Sequence, residues 1–348
     1  MRQDVLTYSS GSTAEQPEWL AKRLLWFQSL KFGIILHWGI YAFWDCCESW
    51  PLVPEDDWAR PSGMKCWDER GHDLEAFQCD YWNLIERFNP VNFDADAWAA
   101  TFVEAGAKYV CFTTKHHDGF CLWDTQTTDY KITGERCPFH ADPRSDVTKL
   151  LFEACRKVGL GISVYFSKAD WHCPYYWALD PKPYSRQANT VSDPEVWEKF
   201  VQYTHTQIRE LLTQYGPVDI LWLDAGWVRD GEDIRMAEIV KMGRELQPGL
   251  LVANRTVGDF EDFVTPEREI PEGVDVPWEA CLPLNPDWKF TEGQKGKSAK
   301  EVFDELVTTN SRGGNFLLGI GPKPDGTLPA EAIQKLREIG RMRSSLGD

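Results

Sequence analysis

The run DADAWAATFVEAGAKYVCFTTKHHDGF, residues 94–120, holds a complete structural unit. Apolar residues recur at helical spacing in its first part, and Gly106 ends that pattern. YVCFTT then reads as a strand that is apolar on both faces. A helix feeding a buried strand is the repeat of a parallel sheet with right-handed crossovers.

The same order recurs along the chain. DVTKLLFEACRKVGLG (146–161) leads into GISVYFSKAD (161–170), and SDPEVWEKFVQYTHTQIRELLTQYG (192–216) leads into DILWLDAGW (219–227). In the latter helix Ser192 and Glu195 fit a capping box, Pro194 suits the first turn, and Gly216 falls just past the end. KFGIILHWG (31–39), LLVANR (250–255) and NFLLGIGP (315–322) are further buried-strand patterns. Six such strands in 348 residues predict an α/β chain with a single (β/α)8-like (TIM) barrel. No G-x-G-x-x-G or Walker pattern opens a helix, which argues against a dinucleotide fold. Residues 1–24 read as an N-terminal extension and 25–348 as the barrel. Residues 45–90, rich in Cys, Trp, Asp and Pro, read as a long insertion after the first strand.

Composition narrows the function. The net charge is −17, so the chain lacks the basic surface that nucleic acid or an anionic membrane requires. Seventeen tryptophans suit a protein that stacks flat apolar faces, and sugars present such faces. Ten cysteines contain no C-x-x-C pair, so no zinc ribbon or thioredoxin-like site is expected. The N-terminal twenty residues carry no apolar signal core, and no segment approaches 18 apolar residues. The expectation is a cytoplasmic, reduced protein, although a trimmed export signal would leave the same sequence.

Polar residues gather at the strand ends: His37, His116 with His117, Lys168 with Asp170, Asp224, and Arg255. In a barrel these ends surround one pocket. Asp224, at the mouth of DILWL and beside Ala225 and Gly226, is a rigidly held carboxylate suited to nucleophilic or basic work. Glycoside cleavage needs a second carboxyl group that holds a proton. Glu267 in DFVTPEREIP and Glu279 in DVPWEACLPLNPDWKF are the two choices. Trp278 beside Glu279 favours a raised pKa by desolvation, whereas Arg268 beside Glu267 reads as an ion-pair partner. Adjacent strand residues point to opposite faces, so His116 and His117 do not both face inward from a regular strand. A metal dyad would also want H-x-H spacing, which is absent. Sugar hydrogen bonding over a rim, a catalytic role and packing stay open for the pair.

FGIILHWGIY, FNPVNFDADAWAATFVEAGAKYVCFTTKHHDGFCLWD, DILWLDAGW and GGNFLLGIGPKPDGTLP resemble, in order, the blocks of glycoside hydrolase family 29, the α-L-fucosidases. The resemblance runs from about residue 25 to residue 345. It implies a barrel catalytic domain alone, without the C-terminal β-sandwich of many relatives. It also implies retaining, exo-acting hydrolysis of terminal α-L-fucosyl linkages with no metal or cofactor. Asp224 is then the nucleophile, and His37, His116 and His117 bind fucose hydroxyls. Glu48 and Trp50, in CCESWPL, resemble the sugar-binding loop pair, and Arg255 resembles the arginine near the acid/base. The family's acid/base position varies, and the TPE…IP…WE arrangement favours Glu279 over Glu267. A tyrosine pair after the third strand is replaced by Tyr165-Phe166, either of which could meet the sugar. Phe43, Trp44 or Trp227 would meet the C6 methyl group. The expected partner is a fucosylated glycan or oligosaccharide, and barrels of this kind often form homo-oligomers. Two rivals are a metal-dependent barrel hydrolase built on His37, His117, His172 and Asp224, and a non-catalytic fucose-binding protein.

Overall fold

The computed structural model of the chain describes residues 17–177, 190–229, 231–255 and 260–345. Seven parallel strands form one curled sheet: β1 (Phe32–Leu36), β2 (Tyr109–Lys115), β3 (Gly161–Ser167), β4 (Ile220–Asp224), β5 (Leu251–Ala253), β6 (Glu279–Pro283) and β7 (Asn315–Ile320). Their order is β5-β4-β3-β2-β1-β7-β6. Between the two edges lies an irregular eighth stave. Asp262 donates its backbone N–H to the Val252 carbonyl in β5, and Val264 and Glu267 bridge in parallel to Trp278 and Cys281. Eight staves in chain order around a closed ring are the expected (β/α)8-like barrel. The sequence patterns located six strands and missed β6, which is five residues long and ends in proline.

The helices are α1 (Glu18–Leu30), α2 (Lys65–Asp68), α3 (Leu74–Trp82), α4 (Ala95–Glu104), α5 (Val147–Lys157), α6 (Pro194–Gln214), α7 (Met236–Leu246), α8 (Ala299–Ser311) and α9 (Ala330–Ser345). Side-chain caps start several of them: Asp94 accepts from Ala97 N–H before α4, and Asp146 from Lys149 N–H before α5. The capping box expected from Ser192 does not form. Asp193 is the N-cap of α6 and accepts from Glu195 and Val196 N–H, leaving Pro194 at the first helical position. A two-sided box does cap α8, between Ser298 and Glu301.

Inward-facing Ile35, Tyr109, Cys111, Tyr165, Trp222 and Leu317 fill the barrel interior. Leu24, Phe27 and Leu30 of α1 join this interior cluster, and the Phe27 and Phe263 rings stack at 4.1 Å. Helix α1 thus crosses the expected boundary at residue 24 and packs into the barrel. Residues 1–16 of the expected extension lie outside the described residues. Among the described residues no helix is long and apolar enough to cross a membrane.

The insertion after β1 is ordered by its own polar contacts. Buried Arg60 donates to the carbonyls of Pro51, Val53 and Pro54. The Tyr81 hydroxyl in α3 donates to Asp118 at 2.7 Å, which ties the insertion to the turn after β2.

Candidate active site

Strand ends and loops bring His37, Glu48, Trp50, His116, His117, Tyr165, Asp224, Trp227, Arg255 and Glu267 around one cavity of about 240 Å³. Drug-sized ligands fill ~300–1,000 Å³, so this space suits a single small ring. Asp224 ends β4 and faces the cavity. Its Oδ1 accepts from Arg255 Nε–H at 3.0 Å, its Oδ2 accepts from the Tyr165 hydroxyl, and His117 Nε2 lies 3.8 Å away. Burial alone would raise its pKa. Arg255 foremost, then His117 and the Tyr165 hydroxyl, outweigh burial and hold the carboxyl at about 2. Asp224 is therefore held as an anion. Phe166, the other member of the Tyr-Phe pair, faces away and lies under the Lys115 ammonium at 4.2 Å.

Arg255 reaches further. Its Nη1 donates to the Thr265 carbonyl at 3.0 Å, and its Nη2 donates to the Glu267 carboxylate. Glu267 also accepts from the Trp288 indole N–H at 3.2 Å. One guanidinium therefore spans two of the three carboxyl groups of the cavity, Asp224 and Glu267. Planar, rigid Arg is suited to this where Lys is not.

Glu279 is elsewhere. Its side chain points into the barrel interior, fully buried, and accepts from the Tyr109 hydroxyl and, at 3.0 Å, from the Trp222 indole. Burial does push its carboxyl up to about 7, as desolvation predicts. The group does not line the cavity, however, whereas Glu267 does. Ion pairing of Glu267 with its neighbour Arg268 is also not observed, since Arg255 takes that place.

The histidines both line the cavity, contrary to the strand-alternation argument. The pairing of β2 with β3 shifts register between Thr113 and Lys115, and the His-His pair sits beyond the last strand residue. The two rings lie 4.1 Å apart. Ser49 holds His116 Nδ1 and Ser167 holds His117 Nδ1, each at 2.7 Å. The single Ser167 hydroxyl proton goes to the Ala169 carbonyl, so His117 Nδ1–H must be the donor in that contact. His117 Nε2 then faces the cavity, 3.8 Å from Asp224 Oδ2. Burial lowers the pKa of His37 to about 3 and lowers that of His116 well below its usual range. His37 Nδ1 is buried without a hydrogen-bond partner among the described residues. Neutral imidazoles that accept and donate match sugar hydroxyls.

Glu48, at a left-handed φ of 40°, is buried and accepts from the backbone N–H groups of Trp288 and Lys289, each at 3.1 Å. Burial raises its pKa. Trp50 packs its ring 5.1 Å from His117 and 5.5 Å from Trp227, so these two indoles form one apolar wall. Phe43 and Trp44 pack away from the cavity, against Phe88 and against Phe77 and Tyr81.

Sequence reasoning missed Trp288, which stacks on His37 at 5.0 Å and orients Glu267. It also missed Ser49 and Ser167. Only the position of Trp288 in a loop after a strand signalled anything, and β6 was itself unrecognised. Lys168 and Asp170, expected at the pocket, are buried away from it. Lys168 donates to Asn254 at 2.7 Å and Asp170 accepts from Lys115 at 3.1 Å.

The donor atoms of His116, His117 and Asp224 lie within 4.8 Å of one another. Both Asp224 oxygens are already taken, Oδ1 by the cationic guanidinium of Arg255 and Oδ2 by the Tyr165 hydroxyl, which disfavours a further cation there. His172 is not in the cavity at all; it stacks on Tyr130 at 3.8 Å. The four-residue metal set expected for a metallohydrolase is thus not brought together.

The alpha-L-fucosidase family model matches residues 7–347. An alpha-L-fucosidase of Dictyostelium discoideum is 26% identical over 340 residues, covering 92% of this chain and 69% of that protein. Alpha-L-fucosidase isoenzyme 1 from Paenibacillus thiaminolyticus is 35% identical with a TM-score of 0.76, covering 95% of this chain and 77% of that one. The trapped covalent intermediate of a Bacteroides thetaiotaomicron alpha-L-fucosidase with 2-fluoro-fucosyl fluoride is 27% identical with a TM-score of 0.75, covering 98% and 78%. A match over almost the whole chain, with the strand-end histidines and the carboxylate of β4 around one small cavity, places this chain in the alpha-L-fucosidase family.

Proposed function

We infer that the protein hydrolyses terminal α-L-fucosyl linkages of glycans or oligosaccharides with retention of configuration. The observation that carries this reading is the Arg255 bridge between Asp224 and Glu267 inside a one-ring cavity. The trapped covalent intermediate of a Bacteroides thetaiotaomicron relative supports retention, which needs a nucleophile and an acid/base on the same small cavity.

In the first step Asp224 attacks the anomeric carbon as the glycosidic C–O bond breaks, and Glu267 delivers a proton to the leaving oxygen. Glu267 replaces Glu279 in this role because it lines the cavity beside Asp224 and Glu279 does not. In the second step Glu267 takes a proton from water, the hydroxide attacks the anomeric carbon, and Asp224 leaves as a carboxylate. His37, His116 and His117 hold the sugar hydroxyls, Glu48 accepts from one more, and Trp50 and Trp227 take the C6 methyl group. Complexes of bacterial relatives with an iminocyclitol inhibitor and with a fucosyl disaccharide support such a ligand.

Hydrolysis of 4-nitrophenyl α-L-fucoside tests the reading. The wild type should release α-L-fucose first, as seen by proton NMR of the fresh product. Azide should rescue Asp224→Ala with an inverted fucosyl azide, and Glu267→Ala with a retained one. Rescue of Glu279→Ala in place of Glu267→Ala would return the acid/base to Glu279. Binding of fucosides with no turnover by the wild type would leave a sugar-binding protein.

A further inference from the structure

Under the reading above the leaving oxygen lies beside Glu267, and Arg268 follows it in the chain and lines the next groove. Arg268 sits at a left-handed φ of 55° with its guanidinium 5.3 Å from the centre of the Trp288 ring. Its Nη2 donates to the Pro286 carbonyl at 2.8 Å. The residue is exposed and makes no ion pair among the described residues. It also opens a groove of about 370 Å³, lined further by Asn285, Pro286, Lys295, Lys297 and Glu305. Lys297 is neutralised there, with Nζ 2.7 and 2.8 Å from the two Glu305 oxygens. Lys295 is exposed and, like Arg268, has no ion-pair partner among the described residues. Two uncompensated cations thus share one groove in a chain of net charge −17. Trp288 joins that groove to the cavity, since it lines the cavity, bonds Glu267 and carries Arg268 on its face.

We propose that this groove is the subsite for the leaving part of the substrate, and that it selects a glycan bearing an anionic group, sulfate or carboxylate. The proposal rests on the fucosidase reading above and adds the aglycone class. Arg268 meets the charge nearest the scissile bond and Lys295 meets it further out. Guanidinium groups bind both anions in bidentate fashion.

The test compares kcat/KM for three disaccharides with α-L-fucose on the same hydroxyl of a hexose, the matching hexuronic acid and the matching sulfated hexose. α-L-Fucosyl fluoride serves as the substrate without a leaving sugar. The wild type should prefer at least one anionic disaccharide by roughly two- to fivefold per cation engaged. Raising the salt should erode that preference. The anion that is preferred identifies its source. Arg268→Gln and Lys295→Gln should each shrink the preference, and Arg268→Lys should keep part of it. A wild type indifferent to charge, or a preference untouched by both glutamine variants, overturns the proposal. No turnover of the fluoride by the wild type would instead remove the fucosidase reading beneath it.

Discussion

Asp224 and Glu267 share a single guanidinium: Arg255 donates Nε–H to Asp224 Oδ1 at 3.0 Å and Nη2–H to Glu267. Arg255 is also the largest of the influences that lower the Asp224 carboxyl against its burial. Replacing it by lysine leaves a point charge that cannot bridge both groups. Arg255→Lys should lose roughly 10²-fold in kcat through misplacement alone. Arg255→Gln removes the charge as well, so the Asp224 pKa rises from about 2. Asp224, the proposed nucleophile, is then protonated at a higher pH, and the acid limb of the kcat/KM profile should move upward. An acid limb unchanged in Arg255→Gln would show that Arg255 does not set the ionisation of Asp224.

Glu279 should behave as a structural carboxyl. Its pKa is raised by burial to about 7 from an ordinary 4.5. A raised folded-state pKa means that the neutral form is the favoured one. The stabilising contribution is present below about pH 4.5 and is lost as pH rises through about 7. The shift corresponds to on the order of 3 kcal/mol. Glu279→Gln keeps a neutral group able to accept from Trp222 and donate to Tyr109. The variant should retain turnover within a few fold, and its thermal stability should fall less than that of the wild type between pH 5 and pH 8. A loss of turnover in Glu279→Gln comparable to that in Glu267→Gln would contradict this assignment.

The residues that could be read from sequence are those whose chemistry is local. An apolar run ending in a lone carboxylate marks Asp224, and the helix-glycine-strand order marks the barrel. What stayed hidden depends on long-range placement. Glu267 and Glu279 both follow plausible turns, and only the barrel register sends one to the cavity and the other into the interior. The eighth stave at residues 262–267 pairs through isolated bridges and has no continuous strand pattern to detect. Strand alternation does not apply to His116 and His117, because β2 ends at Lys115 after a register shift.

The Ser167 contact should fix the tautomer of His117. Ser167 donates to the Ala169 carbonyl at 2.7 Å and therefore accepts from His117 Nδ1–H. Ser167→Ala removes that acceptor and lets the proton move to Nε2, which faces the cavity 3.8 Å from Asp224 Oδ2. Misplacing a group that positions substrate can cost up to ~10²-fold. The variant should lose about tenfold in kcat/KM, and ¹⁵N chemical shifts of His117 should change from the Nδ1–H form to a mixture. A pure Nδ1–H signature in Ser167→Ala would show that the serine does not set the tautomer.

Lys115 and Asp170 form a buried ion pair behind the histidines, with Nζ 3.1 Å from Oδ2 and both side chains almost fully buried. The Gln207 side chain and the Tyr203 hydroxyl complete the pair, at 3.0 and 3.1 Å, and Asp170 Oδ1 accepts the backbone N–H groups of His172 and Cys173. This network joins the end of β2 to the loop after β3 and to α6, so it supports the turn that aims His116 and His117. Removing one partner leaves the other charge buried without its counter-ion, at a cost of about 3–5 kcal/mol. Lys115→Met should therefore destabilise the protein by that amount in urea unfolding. Lys115→Met combined with Asp170→Asn should be less destabilised than the sum of the single variants, because no lone charge remains. Additive single and double variants would mean that the two side chains act separately, each through its own neutral hydrogen bonds.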